Sequence, residues 1–278
     1  NPTYARTSLG HPLSAASLLN RLQAISRIPL LITADFETGV GFRMAGATTF
    51  PRALAFGAAG DPRLAYEAAR ITAIEARAIG VHVNFAPVVD VNNNPRNPVI
   101  NTRSFGEDPA RVSELATAYV EGLKAGGMLA TVKHFPGHGD TDVDSHLELP
   151  IIRHPRARLN RIELAPFRAG ITAGTAGVMT GHIELPALEP TEGTPTTFSA
   201  RIVTSLLRDE MGFDGLVFTD SMSMRAVTEL VSPAEAAARA VRAGHDFVLH
   251  SPDDAAAFSG IKAAVTTGVV KEEQIDTS

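Results

Sequence analysis

Six short apolar runs recur along the chain, with helix-like stretches between them. The runs are Ile28–Ala34, Val81–Ala86, Met128–His134, Gly177–Ile183, Gly215–Asp220 and His245–His250. Strands that are apolar throughout, each separated by a helix, predict a parallel sheet covered on both faces. Helices are expected over Ala65–Ile79, from Asp108-Pro109 to about Ala125, over Leu159–Ala173, from Ser199 to about Met211, from Ser232-Pro233 to Gly244, and from about Asp254 to Thr267. Capping chemistry supports several of these starts. Asp61 precedes Pro62, and Asp108 and Ser232 likewise stand immediately before prolines that suit a first helical turn. An open doubly wound sheet needs a switch point and usually a glycine-rich phosphate loop. No G-x-G-x-x-G follows any of these runs. The expectation is therefore an α/β fold of the (β/α)8 TIM-barrel type, incomplete at the N-terminus, with its first strand before Asn1. The 278 residues read as a single domain. The chain opens on Asn rather than Met, and Glu272–Asp276 reads as the start of another helix, so an additional domain outside this segment is expected.

Composition narrows the function. Formal net charge is -5, with 25 basic and 30 acidic residues, a poor basis for holding nucleic acid through its phosphates. Cysteine is absent, which removes disulfides, cysteine-ligated metals and a thiol nucleophile. No apolar run approaches the ~20 residues of a membrane span. A cytoplasmic location is the expectation, with export left open by the non-Met start.

In barrels of this kind, chemistry gathers where strands end. Polar residues recur there: Asp35 and Glu37, Asp90, Lys133-His134, His182 and Glu184, Asp220, and His250. The densest stretch is Lys133–Pro150, with three His, three Asp, a Lys and a Glu. Two metal readings of it are weak. His134 and His138 are separated by Pro136-Gly137 and cannot share a helix face. Asp140, Asp142 and Asp144 start like a calcium loop, but Ser145 stands where Gly is needed and Ile151 where Glu is needed. A third reading is a His–carboxylate dyad. Asp144 and His146 lie two apart, on one side of an extended segment, so the carboxylate can hold one ring nitrogen while the other passes a proton. Loop capping by Asp and Ser is the bland alternative. The loop alone leaves these two open.

The whole stretch Lys133–Asp140, followed by Asp144-Ser145-His146, resembles the signature of glycoside hydrolase family 3. It is most similar to the β-N-acetylglucosaminidase branch, whose loop carries the Asp-x-His dyad. Asn101–Pro109, Phe85–Val91 and Phe213–Met224 are similar to further family segments, in the same order. The resemblance implies that residues 1–278 are one family 3 catalytic barrel domain acting on carbohydrate, without cofactor or metal. It implies Asp220 as nucleophile, His146 as general acid/base and Asp144 as its partner, with a retaining mechanism. Asp35, Arg103, Lys133 and His134 match positions that hold the terminal sugar. An ion pair with a nearby carboxylate is the structural alternative for Lys133 and Arg103.

The activity implied is release of terminal GlcNAc from peptidoglycan fragments or chitin-like oligosaccharides. A histidine base, neutral after the leaving group departs, does not repel an anion, so a phosphorylase on the same scaffold stays open. So does a barrel that binds sugar without turnover, because the chain departs from the family's D-Q-E-G-G-R-V. It reads Asp35-Phe36-Glu37-Thr38-Gly39-Val40-Gly41, with Arg43 displaced from the pattern's arginine. Glu148 stands where the family commonly has Gly, and Ser221 follows Asp220 where a second acidic residue often stands. A metal-dependent hydrolase using His134, His138 and Asp140 is the remaining alternative.

Overall fold

The computed structural model describes residues 10–278. Its centre is a parallel sheet of five strands, β1 (Thr33–Ala34), β2 (Val83–Asn84), β3 (Leu129–Phe135), β4 (Gly177–Thr180) and β5 (Leu216–Thr219). Their spatial order is their sequence order, with every neighbouring pair parallel. A doubly wound sheet reverses its order at a switch point; this one does not, and the expected α/β fold with an incomplete TIM-like sheet is what the chain builds. One sheet face carries Val83, Phe85, Met179 and Phe218. The other packs against helices through a continuous apolar layer that includes Val132, Val178 and Val217.

The helices are α1 (Pro12–Ile25), α2 (Ala53–Ala59), α3 (Pro62–Ala78), α4 (Pro109–Ala125), α5 (Arg156–Arg161), α6 (Ala165–Thr172), α7 (Arg225–Thr228), α8 (Pro233–Ala243), α9 (Asp254–Thr266) and α10 (Glu272–Thr277). A π-helical segment, Arg201–Glu210, precedes β5. The expected caps form: Asp61, Asp108 and Ser232 accept from backbone N–H groups in the first turns of α3, α4 and α8.

Three expectations are corrected. The first apolar run shortens to β1 because the Gln23 side chain takes both backbone groups of Leu30, at 2.9 and 2.8 Å, away from any strand. The last run, His245–His250, keeps a single parallel bridge, Phe218 to Phe247. There side chains replace ladder partners: Val217 N donates to the Asp246 carboxylate at 2.7 Å, and Leu249 N to Thr219 Oγ1 at 2.9 Å. The helix expected over Leu159–Ala173 is two, α5 and α6. Pro166 has no N–H to offer the preceding turn, and the junction is closed by Leu164 N donating to Leu159 O at 2.9 Å.

Candidate active site

The strand ends bring most of the expected residues together, and they do so through buried carboxylates. At the end of β3, Lys133 is 3% exposed, with Nζ 2.7 Å from Asp35 Oδ1 and 3.0 Å from Glu37 Oε1. Arg103 donates from Nη2 to Glu37 Oε1 at 2.7 Å and from Nε to Oε2 at 3.1 Å, a two-point fork. Burial disfavours a charge on Glu37, but Arg103 and Lys133 outweigh it and hold the carboxyl well below its ordinary range. Both cations are therefore ion-paired, as the structural alternative for them required, and Lys133 also pairs with Asp35. Arg43, displaced in sequence from the family pattern, returns in space: its Nη2 is 3.5 Å from Asp35 Oδ2 and its Nε donates to Asp35 O at 3.3 Å.

His134 follows Lys133 across a cis peptide, where the pairing of β3 with β4 shifts register. Its Nδ1 is 2.7 Å from Asp90 Oδ2. Asp90 is fully buried; burial opposes its charge, yet His134 and hydrogen bonds lower its pKa below the usual value. An ionised Asp90 can only accept, so Nδ1 carries a proton. Arg103 Nη2, which can only donate, faces Nε2 at 3.4 Å, so Nε2 is the accepting nitrogen.

Asp220 ends β5. Burial works against its charge, but His134 and His182, the Ser221 N–H and Lys133 together hold its pKa at about 2. The Ser221 N–H donates to Asp220 Oδ1 at 2.7 Å, and Asp220 N donates to Thr180 O at 3.1 Å. His182 lies behind it, buried, with Nε2–H donating to Ser221 O at 3.0 Å and Nδ1 accepting from the Thr197 hydroxyl at 2.6 Å.

Asp144 and His146 pair as expected, with His146 Nδ1 2.7 Å from Asp144 Oδ1. The segment between them is not extended, which corrects the expected geometry. It is a turn in which Leu147 N and Glu148 N both donate to Asp144 O. The carboxylate caps this turn by accepting from His146 N at 2.8 Å while it also holds the imidazole. Capping and dyad, alternatives in the sequence, are one arrangement. Burial raises the Asp144 pKa, but the two bonds from His146 bring it below the ordinary value. His146 lies near enough to the Asp220 cluster that its charge would disfavour protonation of His182.

His134, His138 and Asp140 do not converge on a point. Their groups are engaged separately, with Asp90, with Thr141 and Ser145, and with His154, and among the described residues no cluster of three such side chains has metal-site geometry. Among the described residues no helix is long and apolar enough to cross a membrane. Sequence reasoning gave no role to Glu37, Asp90 and His182. Their signal was a polar side chain at the end of an apolar strand.

Comparisons with known proteins cover most of this chain. The family profile described as glycosyl hydrolase family 3 N terminal domain matches residues 8–278. A β-hexosaminidase A of Pseudoalteromonas piscicida is 40% identical over 253 residues, covering 84% of this chain and 42% of that protein. The structure of a family 3 β-N-acetylglucosaminidase from Paenibacillus sp. str. FPU-7 superposes with a TM-score of 0.93 at 46% identity, over 99% of this chain and 53% of that one. A β-glucoside phosphorylase structure superposes with a TM-score of 0.92 at 28% identity, over 96% of this chain and 50% of the other. The chain thus spans about half the length of these relatives.

Proposed function

Because the chain belongs to glycosyl hydrolase family 3, we propose that it forms the catalytic barrel of a retaining, exo-acting β-N-acetylglucosaminidase. Its substrates are peptidoglycan fragments or chitin-like oligosaccharides ending in GlcNAc. In this reading the parallel sheet is the greater part of a (β/α)8 barrel. The observation that carries the proposal is Asp220 just after β5, a half-buried carboxylate kept ionised, with a pKa of about 2, by His134, His182, the Ser221 N–H and Lys133.

Asp220 attacks the anomeric carbon, and His146, doubly protonated and stabilised by Asp144, gives its Nε2 proton to the leaving oxygen. The neutral imidazole then takes a proton from water as that water attacks the glycosyl–Asp220 ester, releasing the sugar and restoring the carboxylate. Asp35, Arg103 and Lys133 hold the terminal sugar's hydroxyls, and His134 Nε2 accepts from one of them. A histidine suits both proton transfers because its reference pKa of about 6.5 lies near neutrality.

A second reading has one support: the neutral imidazole admits phosphate as readily as water, and a β-glucoside phosphorylase shares this architecture. Incubation with an aryl β-N-acetylglucosaminide, with and without phosphate, decides between them. Free GlcNAc in both conditions is expected; sugar-1-phosphate would install the phosphorylase, and no release of aryl alcohol would end both. Asp220→Ala should abolish turnover, and full activity in that variant would remove Asp220 from its role.

A further inference from the structure

The His146–Asp144 pair stands on the most open part of its loop, with the His146 side chain 48% exposed. From Asp142 to Leu149 a single side chain is buried, Ser145, which sits between the two dyad residues. Its Oγ lies 3.0 Å from Nε2 of His138, which is 1% exposed.

Thr141 Oγ1–H donates to His138 O at 3.1 Å, so at 2.7 Å the same oxygen accepts from His138 Nδ1–H. Nε2 then carries the lone pair, and Ser145 Oγ–H donates to it. Burial, with His134 nearby, pulls the His138 pKa to about 4, against the opposing pull of Asp90 and Asp220, so this neutral tautomer holds near neutrality.

His138 is itself anchored to the barrel. Its N donates to Asp90 Oδ1 at 2.7 Å, and Asn97 Nδ2 donates to His138 O at 2.7 Å and to Gly139 O at 3.0 Å. The next residue is pressed against the chain after β2: a Cβ on Gly139 would stand 1.8 Å from Val91 O. One carboxylate, Asp90, therefore orients both His134 and the root of the dyad loop.

Resting on the glycosidase reading above, we propose that His138 is a positioning residue for the acid/base pair, setting through Ser145 where Asp144 and His146 stand relative to Asp220. Proton transfer needs heavy atoms within about 2.6–3.2 Å, and a displacement of about 1 Å can cost a factor of about 10². An exposed turn without its one buried peg would not hold that tolerance.

The test compares two substrates whose need for an acid differs. Chitobiose has a poor leaving group that must be protonated, whereas a 2,4-dinitrophenyl β-N-acetylglucosaminide leaves unaided. Ser145→Ala removes the peg's hydroxyl. His138→Asn keeps a donor near the Nδ1 position and loses the reach of Nε2. His138→Gln places an amide near Nε2. For Ser145→Ala and His138→Asn, kcat/KM on chitobiose should fall by about 10- to 100-fold. On the dinitrophenyl glycoside it should change by less than about threefold. The double variant should be no worse than the poorer single one, since the pair acts as a unit, and His138→Gln should recover part of the loss. Should one variant not fold, by melting temperature, the other supplies the same two-substrate comparison. Equal losses on both substrates, no loss on chitobiose, or additive losses would overturn the positioning role while leaving the glycosidase standing. Absence of release by the unmodified protein would overturn both.

Discussion

Glu37 carries more of the site than its place in the sequence suggests. It bridges the buried Lys133 and the half-buried Arg103, and its partners lie 66 residues away for Arg103 and in another strand for Lys133. Replacement by Gln leaves both cations facing a neutral amide. Removing one partner of a buried pair costs about 3–5 kcal/mol, so Glu37→Gln should lower the melting temperature markedly in a thermal scan. An unchanged melting temperature would show that solvent or Asp35 already neutralises these cations. Legibility at this scale follows separation. Asp144 and His146 are two apart, and the loop offered their pairing beside capping as one of two open readings. Asp90 and His134 are 44 apart, and the tautomer their contact imposes was not.

Among the elements, helices announced by a capping residue followed by proline were read almost to the residue, because caps and first turns are local chemistry. Elements whose backbone groups are taken up by side chains were misjudged. Gln23 shortens the first strand and Asp246 with Thr219 thins the last. Helix α1, capped by His11, shows Leu13 and Ile25 to solvent at 77% and 79%, so its apolar face gives no clear pattern. The dyad loop is the element with the most to lose. Gly139→Ala forces a Cβ into Val91 O, and relief requires moving the loop root. The expected cost is about 1–3 kcal/mol of stability, together with a drop in kcat. Wild-type kcat in a folded Gly139→Ala variant would show that the loop's position is set elsewhere.

The whole molecule inherits a pH dependence from its buried histidines. Burial holds His138 at about 4 and His245 at about 3, and shifts His182 and His82 downward as well. Between about pH 6.5 and pH 4 the unfolded chain binds protons that the folded chain refuses, so stability falls as pH falls. Glu37, Asp90 and Asp220, whose folded pKa values are depressed, extend the decline at lower pH; Glu163, raised by burial, opposes it. The melting temperature should therefore drop continuously from pH 7 to pH 4, and a flat profile over that interval would contradict the buried neutral histidines. What the amino-acid sequence determined by itself was the alternation of strand and helix, the polar residues at strand ends, and the two readings open to the Asp-x-His segment, because periodicity, caps and short spacings act over a few residues. What only the tertiary structure decided was the partner of buried charges such as Glu37 and Asp90, because those contacts join strand ends remote in sequence, and the peg beneath the dyad, because a seven-residue loop contact depends on how the loop root is held against the chain after β2.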